Sequence, residues 1–167
     1  MTYHEEVSEE VGRMIADLAD SDAAKRERTR AAIVQREGPE IVRALVNSLI
    51  DRDRHVRWEA AKCLAAISDP VAAPALMVAL EDEDPDVRWV AGEGLIALGK
   101  VGVLIVLSGL TKRATSIEFC KGAHHVLHDS KLRAKHPEIR EVLSALEQNE
   151  PAALAPATAY QAMIALS

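Results

Sequence analysis

Val56-Arg57-Trp58 returns as Val87-Arg88-Trp89, 31 residues later, and the residues around the two triplets return with it. Asp51 falls on Asp82, Asp53 on Asp84, Ala60 on Ala91 and Leu64 on Leu95. Upstream, Ala44-Leu45 falls on Ala75-Leu76, Leu49 on Leu80 and Pro39 on Pro70. A fixed period of this size marks a chain of stacked supersecondary units, each burying its apolar face against the next.

Local signals put two helices in each unit. Asp69-Pro70 and Asp84-Pro85 pair an N-cap acid with proline at the first helical position, where its missing N–H costs nothing. Gly38-Pro39 and His136-Pro137 open two more helices, and Gly99 reads as a C-terminal stop. The spacing predicts helices over 4–19, 23–36, 39–51, 54–67, 70–81, 85–98, 101–112, 115–129, 137–148 and 157–166, and no strand. Ala and Leu dominate, while Phe, Tyr and Trp together number five, a balance that favours close-packed helices.

Composition excludes several classes. No apolar run approaches the ~20 residues of a membrane span, and Met1-Thr2-Tyr3-His4-Glu5-Glu6 has neither a basic nor an apolar leader region. Cys63 and Cys120 form no close-spaced pair and read as free thiols, which points to a reducing cytoplasm. Residues 1–24 hold seven carboxylates against Arg13, so they carry the net charge of −6 and the body is balanced. Such a distribution argues against non-specific nucleic-acid binding.

Val-Arg-Trp-Glu-Ala-Ala-Lys-Cys-Leu-Ala-Ala-Ile over 56–67, then Asp69-Pro70, then Pro74-Ala75-Leu76 through Leu80-Glu81-Asp82, resembles the short HEAT-like repeat of the phycobilisome-lyase type. The match is best over 39–98 and degenerates on both sides, where Lys25-Arg26 and Glu118-Phe119 replace Val-Arg. The resemblance implies an all-α fold, a right-handed alpha-alpha superhelix of about four helix pairs. It would span one domain, 1–167, capped by helix 4–19 and by helix 157–166. It also implies that Asp51 and Asp82, closing one helix, and Arg57 and Arg88, opening the next, form a structural ladder between neighbouring pairs. The helix that opens with Val-Arg is implied to line the concave face.

On that helix the period builds columns across the units: Trp58, Trp89, Cys120; Lys62, Glu93, His124; Ala66, Ala97, His128. The two indoles serve either of two uses. Each packs over its neighbour and closes the seam, or together they floor a groove, since Trp is a favoured hot-spot residue. Residues 101–110 break the pattern, being apolar on nearly all sides and about one residue short against the repeat. They need a cover: the C-terminal segment folding back, with Tyr160, Met163 and Ile164 on its apolar side, or a second subunit in a homodimer.

Chemistry is weakly signalled. Cys120, His124 and His128 share a helix face, with His125 off it and His136 in the following loop. Cys, His and carboxylate suit zinc, which makes His124, Glu93 and Cys120 the metal candidates, but no close-spaced ligand signature accompanies them. Deoxyhypusine hydroxylase is similar in repeat form and draws di-iron ligands from paired His-Glu motifs. Those positions here read Trp58-Glu59 and Trp89-Val90, which removes the ligand set. HEAT-like DNA glycosylases use a basic concave surface, whereas Lys62 here is mixed with Glu59 and Glu93.

These features point to a non-catalytic module without cofactor that binds a protein or peptide, with Trp58, Lys62, Trp89, Glu93, Cys120 and His124 as contacts. The alternative is an accessory subunit of a bilin-lyase-like or metal-dependent enzyme, and a lesser one is nucleic-acid binding.

Overall fold

The computed structural model describes residues 7–36 and 38–167, so the start of the expected helix 4–19, with Glu5 and Glu6, lies outside the described residues. Among them are eleven α-helices and no strand. They are α1 (Glu9–Asp17), α2 (Ala23–Arg36), α3 (Pro39–Ser48), α4 (Arg54–Ile67), α5 (Ala73–Ala79), α6 (Pro85–Ala97), α7 (Lys100–Arg113), α8 (Ile117–Leu127), α9 (Ser130–Lys135), α10 (Arg140–Leu146) and α11 (Pro151–Leu166). Single 3-10 turns, Pro70–Ala72 and Pro137–Ile139, lead into α5 and α10.

The starts are set by side chains that take up orphan backbone N–H groups. Ser8, Asp53, Asp84, Ser116 and Asp129 cap α1, α4, α6, α8 and α9. At Gly99 φ is +59°, a conformation that L side chains rarely adopt, and this lets the chain turn from α6 directly into α7.

The helices alternate between two layers. In one, α1, α3, α5 and α7 follow one another and α11 adds to α7; in the other, α2, α4, α6, α8 and α10 do so. The core lies between them, with Leu45, Leu64, Leu76, Leu80, Leu95, Leu107 and Leu110 almost wholly buried. Each contributes about 2 kcal/mol by burial, which makes this core the main source of stability.

Helix α7 is covered from within the chain. Val103, Val106, Leu107 and Leu110 are buried, and α11 presents Ala155, Ala159, Ala162 and Leu166, also buried, against it. The alanines let the two helices approach closely. This removes the ground on which a homodimer through 101–110 was expected. Helix α11 begins at Pro151, six residues before the expected 157, and runs through Pro156. Helix α9 was not expected, because Leu132 is its one buried residue and leaves no apolar period to read.

Three arginines each grip the loop before their own helix and reach forward to a carboxylate of the next unit. Arg57 Nη1 donates to the carbonyls of Asp51 (2.9 Å) and Arg52 (3.3 Å) in the loop before its own helix. Its Nε and Nη2 reach forward to the Asp82 carboxylate at 2.8 and 3.0 Å, and Nη2 also meets Glu83 at 3.0 Å. Arg88 repeats the backward grip on Asp82 and Glu83 (2.7 and 3.2 Å) and pairs forward with Glu118 at 3.3 Å. Arg26, which stands at the Arg position of the first unit, repeats the backward grip but reaches forward into the middle of α4 rather than to a loop. It holds the Asp20 and Ser21 carbonyls (2.7 and 3.1 Å) and meets Glu59 at 3.3 Å. Asp20, Asp51 and Asp82 each accept the N–H two residues on, which tightens the loop being gripped.

The period lengthens once. The N-caps Asp53 and Asp84 are 31 residues apart, but Asp84 and Ser116 are 32 apart. The buried stripe agrees: Val56, Ala60, Leu64, then Val87, Ala91, Leu95, then Phe119, Ala123, Leu127. The α7 unit is therefore one residue long, not short, and every column on α8 moves by one. Trp58 and Trp89 continue to Lys121 rather than Cys120, and Lys62 and Glu93 to His125 rather than His124.

Deleting 151–167 strips the cover from α7. The truncated protein is expected to self-associate and to lose a cooperative melt, as read by sedimentation and circular dichroism; a monomer with unchanged Tm would contradict the covering role.

Candidate binding face

Helices α2, α4, α6 and α8 carry the face on which the expected contacts lie. On α4, Trp58 is half-buried and the Lys62 ammonium sits 4.0 Å from its ring centroid, a cation–π contact one helical turn along. Trp89, one unit on, is 59% exposed. The two indoles do not stack on each other: among the described residues the aromatic ring contacts are Trp89 with His125 and His124 with His128.

The partner of Trp89 comes from the next unit. Its ring centroid lies 4.1 Å from that of His125, tilted by 34°, and His125 Nε2 is 2.9 Å from Glu93 Oε1. Thus Glu93 and His125, equivalent in the corrected register, meet across adjacent helices. Gly92 makes room for this. Where Ala61 stands in the preceding unit, a Cβ on Gly92 would lie 2.6 Å from His125 Cδ2. The glycine lets the imidazole settle against α6, between the indole and the carboxylate.

Trp89, Lys62 and Glu93 line a depression of about 780 Å³ together with Arg30 and Val34 of α2. Below it, Glu59 is buried to 2% exposure and held by Arg30 at 2.5 Å and Arg26 at 3.3 Å, so its charge is compensated rather than offered to a ligand. Cys63 beside it is fully buried, and burial, with the Glu59 charge second, pushes its thiol up to about 12. It carries no thiolate at neutral pH.

The remaining expected contacts lie elsewhere. His124 faces Glu147 at 3.2 Å and stacks on His128 with centroids 5.2 Å apart. Cys120 directs Sγ to the Ala114 carbonyl at 3.3 Å, and burial raises its pKa, with the Glu81 charge second. The metal candidates are therefore separated: Glu93 goes to His125, His124 to Glu147, and Cys120 to backbone. Among the described residues no three of His, Cys, Asp and Glu converge on one point in a way that could hold an ion. His125 is the site residue that sequence reasoning set aside, and the signal for it was the lengthened period.

Gly92→Ala is expected to displace His125 and shift the Trp89 indole N–H resonance while leaving that of Trp58 in place. Equal shifts of both resonances, or of neither, would contradict the cluster.

The structure is similar to that of the complex of CpcE and CpcF of phycocyanin lyase from Nostoc sp. PCC7120, at 19% identity and TM-score 0.54, covering 100% of this chain and 68% of that one. An engineered protein is similar at 19% identity and TM-score 0.44, covering 95% of this chain and 85% of that one. No curated protein matches the sequence. The first likeness establishes an all-helical repeat fold, and among the described residues no helix is long and apolar enough to cross a membrane. The family model of HEAT repeats matches residues 13–96 and 42–118, and the chain belongs to the HEAT repeat family.

Proposed function

We propose that this protein is a non-catalytic module that binds a polypeptide partner over α2, α4 and α6, with Trp89 as the central contact. The observation that carries the reading is the combination at Trp89. A large aromatic is mostly exposed, yet its orientation is held by His125 and Glu93 beside a depression wide enough for a chain segment. Pre-ordering an aromatic anchor lowers the entropy lost on association, which is where interface affinity is usually won. Lys62 and Glu93 supply opposite charges on the rim and fix a partner's direction more than its affinity.

Trp58 takes a supporting part, because its ring is already engaged by Lys62 and half-buried. Cys120 and His124 lie outside the depression and belong to a different cleft. The structurally similar phycocyanin lyase is itself a complex of two proteins, which favours a protein partner for this chain as well. The nucleic-acid reading has no single-signed basic channel in its support, since Arg26 and Arg30 are spent on Glu59.

Partner capture from the native cell tests this. Trp89→Ala should weaken capture at least tenfold, of the order of a 2 kcal/mol hot spot, with the helical signal unchanged. Trp58→Ala should weaken it less. Undiminished capture by folded Trp89→Ala would overturn the assignment.

A further inference from the structure

The fourth unit lacks its stitching arginine. In the corrected register the column Arg26, Arg57, Arg88 continues to Cys120. Its thiol makes the shorter half of the same contact: Sγ donates to the carbonyl of Ala114, six residues back, as each arginine donates six residues back to Asp20, Asp51 and Asp82. It has no guanidinium to cross to the next loop.

The gap left there is a cleft of about 880 Å³, bounded by Ala114 and Ile117 on one side and by Leu146, Glu147, Glu150 and Ala153 on the other. Its apolar walls include Ile117, which is largely exposed. Two more charged or titratable groups line it. Lys121 is turned to Glu118 on its own helix at 3.1 Å, and His124 faces Glu147 at 3.2 Å. The Glu150 carboxylate has no hydrogen bond or ion pair among the described residues.

We infer that this cleft receives an arginine side chain from a partner polypeptide, which completes the missing stitch in trans. The guanidinium would take the carboxylates of Glu147 and Glu150, as Arg57 takes Asp82 and Glu83, in the bidentate manner that favours arginine over lysine. The volume exceeds one side chain, and the apolar walls suit aliphatic neighbours of that arginine. This surface is separate from the Trp89 depression, so either assignment can fail without the other.

The test uses the full chain and two blocked peptides, acetyl-Leu-Arg-Leu-amide and its citrulline counterpart, followed by amide shifts at concentrations up to about 10 mM. The arginine peptide should move Ala114, Cys120, Glu147 and Glu150, and the neutral peptide should bind about tenfold more weakly for want of charge-assisted bonds. Cys120→Arg should fill the cleft from within and abolish binding without lowering Tm. The double substitution Glu147→Gln and Glu150→Gln should weaken the arginine peptide to the level of the citrulline one, and it serves as the test if Cys120→Arg does not fold. Equal binding of the two peptides, binding of neither, shifts confined to the Trp89 depression, or undiminished binding by the folded variants would each overturn the proposal. Trp89→Ala should leave the cleft's binding intact.

Discussion

The grip of one arginine on two loops is the constraint from which the rest of the arrangement follows. Arg57 is almost fully buried at its side chain, as is Asp82, and the pair is bidentate. The Asp82 hydrogen bond, ahead of the opposing effect of burial, holds the Arg57 guanidinium above even its usual high pKa. Burial of leucines between the layers supplies far more free energy than any such pair. Apolar contact, however, tolerates a slide of one helix along another, and a guanidinium fixed by two carbonyls and a carboxylate does not. Burial therefore holds the layers together, and the arginines set how each unit sits on the one before.

Where the period holds, equivalent side chains on successive helices are brought into line. Where it lengthens by one residue, the extra residue is taken up before the Ser116 cap, so the line is kept under a shifted numbering and the face changes character through the residues that stand on it. Glu93 meets His125, Trp89 packs against the same imidazole, and Cys120 stands at the arginine position. Gly92 belongs to the same arrangement, since an alanine there would not admit the His125 ring. The distinctive chemistry of the face thus comes from the residues that α8 and α6 place at equivalent positions of an otherwise regular stack, His125 after Glu93 and Cys120 after Arg88.

This explains what the sequence disclosed and what it withheld. The two-helix units were legible because caps, prolines and the apolar stripe agreed at 39–98. The covering of 101–110 was legible in outline, because an all-round apolar helix must be buried by something. Helix α9 was not, having one buried side chain, and the first turns of α11 were hidden by Pro156. The misplacement of Cys120 and His124 in the Trp and Lys columns came from carrying 31 residues past the point where it applied. Ser116 as a cap, with Phe119, Ala123 and Leu127 behind it, contained the correction. Lys25-Arg26 was legible at the Val-Arg position, whereas Asp20 and Asp22, at the same interval before Asp51 and Asp53, did not stand out in an acidic segment.

The central claim is that the arginine stitch couples neighbouring units, and a double-mutant cycle on Arg57 and Asp82 measures this most directly. Arg57→Met removes the cation, and Asp82→Asn removes the anion while keeping an acceptor for the Asp84 N–H. Each single change should cost about 3 kcal/mol of unfolding free energy, and the double should cost less than the sum by about 2 kcal/mol. Additive losses would mean that the two side chains act independently, and the stitch would not be what holds one unit in register on the next.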